Sequence, residues 1–396
     1  MQQVVSFFLY ENFISLRNSQ NQSYQVIRKF FLLLILSFSF SFGIASTCFN
    51  SNDSTAYILE TKLHYGFLLS HHKYMNHLAT GHFPALEINI GKQTNGKQEW
   101  HSLYKYPVAG LAFWYADLRN PDVLGYAFAL YPYLNFHLIR NPYFLLNFRF
   151  GTGLGYMTNK FDRLENYKNV AIGSHLNATV NMFYEFRWKV FRKLFLSGSL
   201  GLTHFSNGAL KMPNPGLNIP TAAVGVSYLL SYGMPEVSFP DYKTRGKGES
   251  KIQVISILST GVKEIYPVCG NKYGICSFST SFMKPLNMKQ KIETGFDLFW
   301  DFSNIQELKN KYIEVNHSYE VIRYGIHLGH QFDFSRLSFI TQAGFYLYAK
   351  DKSDGPVFMR IALRYRITKK MFFNLALKTH YAKADFVEWG IGYLIK

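Results

Sequence analysis

Charge is scarce in this chain. Asp, Glu, Lys and Arg make up 17% of its 396 residues, where an ordinary soluble domain carries about 25%. A charge-covered cytosolic enzyme is therefore a poor fit. Long apolar runs are missing too. Outside the N-terminus no stretch approaches the roughly 20 residues that a membrane helix needs, which excludes helical spans. Cysteine is down to three, Cys48, Cys269 and Cys276. What is abundant is apolar and aromatic: 48% hydrophobic and 18% aromatic residues, with 37 Phe and 28 Tyr. That excludes disorder and leaves an apolar surplus that has to sit somewhere other than in helices. The charge that is present is basic, 42 Lys+Arg against 25 Asp+Glu, for a formal +17.

At the N-terminus, Arg28 and Lys29 precede the run FFLLLILSFSFSFGIA and then small residues, the pattern of a secretory signal peptide over residues 1–46. Its removal leaves a charge of about +15, so export does not create the basic balance. Cys269 and Cys276 flank the short segment CGNKYGIC, which predicts a hairpin disulfide in an oxidising compartment. Cys48 follows Thr47, a poor residue before a lipidation site, and reads as an unpaired thiol.

From residue 54 onward the hydrophobic period is two, the strand period. Tyr126, Phe128, Leu130, Leu134, Phe136 and Leu138 alternate with Ala127, Ala129, Tyr131, Tyr133, Asn135 and His137. Phe144, Leu146, Phe148, Phe150, Leu154 and Tyr156 alternate with Asn147, Arg149, Gly151, Gly153 and Gly155. Too few charges exist to coat so many strands in water. A barrel with large apolar residues facing lipid and small or polar ones facing inward satisfies both composition and period. The fold class expected is thus all-β, a transmembrane antiparallel β-barrel protein.

About eight alternating segments lie between Ala56 and Tyr232 and about eight more between Lys251 and Ile395. Residues 54–234 and 251–396 form two halves joined by a Pro-, Gly- and charge-bearing linker or long turn over 235–250. KLFLSGSLGLTHFSNGA from Lys193 echoes KKMFFNLALKTHYAKAD from Lys369, which predicts an internal duplication. Sixteen strands fit one barrel or two smaller ones, and the pattern alone leaves both open.

One stretch carries chemistry. Leu194, Leu196, Leu200, Leu202, His204 and Ser206 share a face, against Ser197, Ser199, Gly201 and Thr203 on the other. Barrel parity turns the leucine face to lipid, so His204 and Ser206 point outward, where polar groups are costly and need a reason. Residues i and i+2 on a strand lie roughly 6.5–7 Å apart, close enough for an imidazole to lean toward a serine hydroxyl as nucleophilic catalysis requires.

The stretch His204-Phe205-Ser206-Asn207-Gly208 followed by Pro213-Asn214-Pro215-Gly216-Leu217-Asn218 resembles the signature of the PagL-type lipid A 3-O-deacylases, small outer-membrane barrels. The resemblance implies His204 as general base, Ser206 as nucleophile and Asn207, with Gly208, at the oxyanion. It also implies lipopolysaccharide as partner, the outer membrane as location, and no cofactor. The family's third member, a Glu twelve residues after the serine, is Asn218 here, and no acid occurs between Glu185 and Glu236. An Asn oxygen still accepts the imidazole Nδ1–H, as in papain-like His-Asn pairs, but stabilises the imidazolium less, which implies reduced activity.

Elsewhere the signals are weaker. His71, His72, His77 and His82 in the first loop match no zinc spacing, so no metal is expected, and the loop reads as lining the lipid headgroup region. His380 aligns with His204, but Ala382 stands where a nucleophile would be and His380 shares its face with Asn374 and Lys378. The second half should not be catalytic. The basic balance fits phosphorylated lipid rather than nucleic acid. The function expected is an outer-membrane serine esterase that removes an ester-linked acyl chain from lipid A through an acyl-enzyme. The alternative is a non-catalytic barrel, a porin-like channel with a wide polar lumen or a structural protein.

Overall fold

The structure, a computed structural model, describes residues 56–230, 251–381 and 383–396. The expected signal peptide, Cys48, the 235–250 linker and Ala382 lie outside the described residues. The first unit comprises β1 (Tyr57–Phe67), β2 (His82–Gln93), β3 (Val108–Asp117), β4 (Tyr126–Arg140), β5 (Phe144–Met157), β6 (Leu176–Lys189), β7 (Leu194–Ser206) and β8 (Leu217–Leu229). The second comprises β9 (Gln253–Glu264), β10 (Lys272–Asn287), β11 (Gln290–Asp301), β12 (Ile322–Phe334), β13 (Leu337–Tyr348), β14 (Val357–Arg366), β15 (Met371–His380) and β16 (Lys383–Leu394). Each set pairs antiparallel in chain order and closes on itself, β1 to β8 and β9 to β16. Closure resolves the choice left open by the sequence: there are two eight-stranded barrels.

Alternation places the side chains as the period requires. In β4, Ala127, Ala129, Tyr131, Tyr133, Asn135 and His137 are buried, while Tyr126, Leu130 and Leu138 are exposed. Leu154, Tyr184, Leu200 and Val224 on the first barrel and Leu258, Phe296, Leu328 and Ile361 on the second are exposed as well. A soluble monomer does not leave apolar area on this scale in water, whereas a lipid-facing wall requires it. No helix among the described residues is long and apolar enough to cross a membrane.

An eight-stranded barrel has an interior just wide enough for side chains to fill. In the first barrel, Arg149 bonds Glu87 at 2.7 Å and Glu185 at 3.1 Å, and Arg187 bonds Glu60 at 2.9 Å. Lys62 pairs with Glu185, and Tyr131 and Tyr133 donate to Glu87 and Asn89. All these groups are buried. The wide polar lumen that a porin-like channel demands is occupied here by a packed ionic plug.

Connections differ at the two ends of the first barrel. At one end the β4–β5 and β6–β7 turns span only residues 141–143 and 190–193, beside a longer β2–β3 connection over 94–107, whereas at the opposite end every connection, 68–81, 118–125, 158–175 and 207–216, is a loop of eight residues or more. Short turns mark the periplasmic end of such barrels and long loops the outer end. Ser206, the last residue of β7, is therefore at the outer end.

The barrels touch from end to end. Near the short turns Tyr104 stacks on Phe334 at 4.4 Å, and midway Phe150 meets Phe339 at 5.6 Å. At the long-loop end the Glu264 N–H donates to the Ala209 carbonyl at 3.0 Å. The expected hairpin disulfide does not form: Cys269 and Cys276 are free thiols. Cys269 lies in the β9–β10 turn, while Cys276 is already within β10, paired across the ladder with Thr260. Strand pairing, which spacing in sequence cannot report, separates them.

Candidate active site

The site is assembled by register. On β7, Thr203 and Phe205 point inward and are fully buried, with Phe205 against Trp114 at 5.8 Å. That fixes the parity of the strand end, and His204 and Ser206 project from the outer face half-buried. β8 pairs with β7 so that Asn218 stands directly opposite His204. Side chains opposite each other on one sheet face sit within contact distance, and the His204 Nδ1–H donates to Asn218 Oδ1 at 2.6 Å. With Nδ1 carrying the hydrogen, Nε2 is left as an acceptor, the form a general base requires.

Ser206 Oγ sits in a small cage. It receives hydrogen bonds from Asn214 Nδ2 at 2.9 Å and from the Gly208 backbone N–H at 3.2 Å, and its own hydroxyl points to Asn214 Oδ1 at 3.2 Å. No hydrogen bond joins His204 Nε2 to Ser206 Oγ among the described residues. Gly216 crowds the ring edge: a Cβ there would fall 2.9 Å from His204 Cε1. Such close passage admits only glycine, whose φ of +83° is also in the left-handed region.

Asn207 is engaged within its own loop and with Ser174. Its Nδ2 donates to Ser174 Oγ and to the Lys211 carbonyl, both at 2.8 Å, and its backbone N–H goes to Asn214 Oδ1 at 2.9 Å. The carboxamide is buried and spent on shaping the 207–216 loop. Gly208 and Asn214 are the groups aimed at Ser206. Asn214 lies inside the quoted motif but has no role legible from spacing, because the loop that folds it back is irregular.

The rings of His71 and His72 lie 4.6 Å apart, and the other first-loop histidines make separate contacts. His77 Nε2 meets the Lys168 carbonyl at 2.8 Å, His72 stacks on Tyr74, and His82 stacks on Tyr65. Among the described residues no group of three or more His, Cys, Asp or Glu is arranged to hold a metal ion. His71 also reaches the site: Asn218 Nδ2 lies 3.2 Å from its Nδ1.

His380, aligned with His204 in sequence, is buried inside the second barrel, where Tyr346 Oη lies 2.8 Å from its Nε2. It faces a lumen of charged groups that includes Lys378 and Asp385, themselves paired at 2.6 Å.

Closed barrels with apolar outer walls, and a His-Ser-Asn cluster outward at the long-loop end, define an outer-membrane β-barrel with a hydrolase-like site. Residues 85–227 match the family described as lipid A 3-O-deacylase (PagL), and residues 252–396 match the acyloxyacyl hydrolase C-terminal domain. The chain belongs to the PagL lipid A 3-O-deacylase family. Membership carries with it lipid A deacylation, an ester hydrolysis, at the outer membrane. No curated protein matches by sequence. Among solved structures, the chain is similar to the TodX deltaS2S3 mutant monoaromatic hydrocarbon channel, at 7% identity over 87% of this chain and 91% of that one, with a TM-score of 0.18. It is also similar to the COG4313 outer membrane channel from Pseudomonas putida F1, at 9% identity over 88% and 99%, with a TM-score of 0.19. At such scores the likeness has no bearing on activity.

Proposed function

We propose that the chain deacylates lipid A by a serine mechanism, with Ser206 as nucleophile, His204 as general base and Asn218 as the group that orients the base. Ser206 Oγ attacks the ester carbonyl carbon of an acyl chain while His204 Nε2 takes its proton. The carbonyl oxygen gains the negative charge, for which the Gly208 N–H and Asn214 Nδ2 are the nearest donors. Collapse expels the sugar alkoxide, which takes the proton from His204. The acyl-enzyme is then cleaved by water, whose proton passes to His204 and on to Ser206 as the fatty acid leaves.

The observation that carries this reading is the shared outward face of His204, Ser206 and Asn218 at the outer end of a barrel within the matched region. Lipid A packs against that wall with its ester bonds near the headgroup level, so the substrate reaches Ser206 without leaving the membrane. The filled lumen speaks against the channel alternative. Mass spectrometry of lipid A from cells carrying the protein tests the reading. Loss of one acyl chain is expected, and Ser206→Ala should reduce the rate by about a thousand-fold or more. Unchanged deacylation in Ser206→Ala would exclude the acyl-enzyme.

A further inference from the structure

An Asn in place of a carboxylate creates a difficulty that the site has to solve. A carboxylate offers two equivalent acceptor oxygens to an imidazole N–H. A carboxamide offers an acceptor at one end and a donor at the other. With Oδ1 toward His204, the ring keeps its hydrogen on Nδ1 and Nε2 is free to take a proton. With the amide turned over, Nδ2–H would donate to Nδ1, the ring hydrogen would move to Nε2, and the base would be disabled. A selective contact at the far end of the Asn218 amide is required to decide between the two.

That contact is present. Asn218 Nδ2 lies 3.2 Å from His71 Nδ1 while Oδ1 lies 2.6 Å from His204 Nδ1. In its Nε2–H tautomer His71 presents a lone pair on Nδ1 that accepts the Nδ2–H, and the reversed amide would set Oδ1 against that lone pair. His71 is itself exposed, and the loop backbone brings it to Asn218. The Leu69 N–H donates to the Asn218 carbonyl at 2.8 Å, which extends the sheet by one bridge beyond β1. Ser70 Oγ bonds the His72 carbonyl at 2.9 Å and Asn76 Oδ1 at 2.7 Å, and the buried side chains of Met75 and Leu78 anchor the otherwise exposed 3-10 turn Lys73–Leu78 that follows.

We propose that His71 is a positioning residue of this site: by accepting from Asn218 Nδ2 it fixes the amide with its oxygen toward His204, and so holds His204 in the Nδ1–H tautomer. The chain His71–Asn218–His204 orients the base with an imidazole and a carboxamide, where one carboxylate would do so alone. The role rests on the serine mechanism proposed above.

Asn218→Asp supplies the decisive comparison, because the two side chains have the same shape but the carboxylate has no wrong end. Fatty acid release from lipid A is measured for the parent, His71→Ala, Asn218→Asp and the double variant in detergent micelles. His71→Ala is expected to lower kcat about ten-fold with little change in KM in the Asn218 background. In the Asn218→Asp background the same change should cost less than about two-fold. His71→Glu, which offers Asn218 Nδ2 acceptors and no donor, should recover most of the parent rate. In parallel, 15N spectra of histidine-labelled protein should report a single Nδ1–H tautomer for His204 in the parent, a mixture in His71→Ala, and a single form again in the double variant. An equal loss in both backgrounds, or a His204 tautomer indifferent to His71, overturns the proposal. A parent protein that releases no fatty acid overturns the serine mechanism, and the spectra still decide the role of His71.

Discussion

The two barrels share strand number, closure and a recognisable repeated segment, yet the repeated histidine serves opposite ends in them. His204 stands on the outer face of β7 beside a serine, while His380 on β15 is buried in the lumen against Tyr346. In β7 the even-numbered residues face out; in β15 Met371, Phe373 and Leu375 do, and the even-numbered ones face in. A slip of one residue turns every side chain of a strand to the other face. The loops diverge with it: 207–216 follows β7 and supplies Gly208 and Asn214, whereas only two residues, 381–382, separate β15 from β16. A barrel wall therefore becomes a site through parity plus a loop long enough to fold back, and neither is visible in the similarity of the two segments.

What the barrels have in common is their ionic filling, and the largest effect is expected there. Arg149→Ala in the first barrel takes from Glu87 and Glu185 one buried cation that both contact, with Lys62 remaining between them. Arg360→Ala likewise takes the shared cation from Glu388, at 2.7 Å, and from Asp297, at 3.0 Å, in the second. Removing one partner of a buried ion pair costs about 3–5 kcal/mol. Urea unfolding of detergent-solubilised protein, followed by tryptophan fluorescence, should show losses of that order in both variants. Intact stability in one of them would show that its lumen is held together by other means and break the symmetry of the two interiors.

A smaller effect is expected where the barrels meet. Gly208 has a φ of +63° and a Cβ built on it would lie 2.3 Å from Val387 Cγ2 on β16. The next residue, Ala209, also has a positive φ, 64°, and its carbonyl is held by the Glu264 N–H at 3.0 Å. The turn that presents the Gly208 N–H to Ser206 is thus flanked by the second barrel. Gly208→Ala should lower deacylation about ten- to a hundred-fold through displacement of that N–H. Adding Val387→Ala should return part of the rate, because it removes the clash and leaves the backbone strain. Equal rates for the single and double variants would show that the second barrel's wall does not bear on the site.

These contacts mark where sequence reading stops. The outward placement of His204 and Ser206 follows from alternation alone, and so does the inward placement of His380. The closure into two barrels does not, because it depends on β8 finding β1 and β16 finding β9, pairings that no local pattern states. Cys269 and Cys276 were separated by ladder register in the same way. Asn214 and His71 reach the site through irregular loops, and a loop path is set by its own hydrogen bonds rather than by a period. The one cue for His71 was indirect: a site whose acid is replaced by Asn218 needs a partner for the amide's donor end, and the chain between Glu185 and Glu236 offers no acid.

The smallest effect on catalysis, and the sharpest test of the division between barrels, is expected at His380. His380→Ala removes the partner of the Tyr346 hydroxyl inside the second lumen and leaves a buried polar group unsatisfied, a loss of about 1–3 kcal/mol in stability. The deacylation rate should stay within about two-fold of the parent, since His380 faces a different interior from the wall that bears Ser206. Urea unfolding and lipid A mass spectrometry on the same preparation separate the two quantities. A variant that unfolds at the parent's urea concentration but no longer deacylates lipid A would make His380 part of the chemistry, and the parity rule that distinguishes the barrels would fail with it.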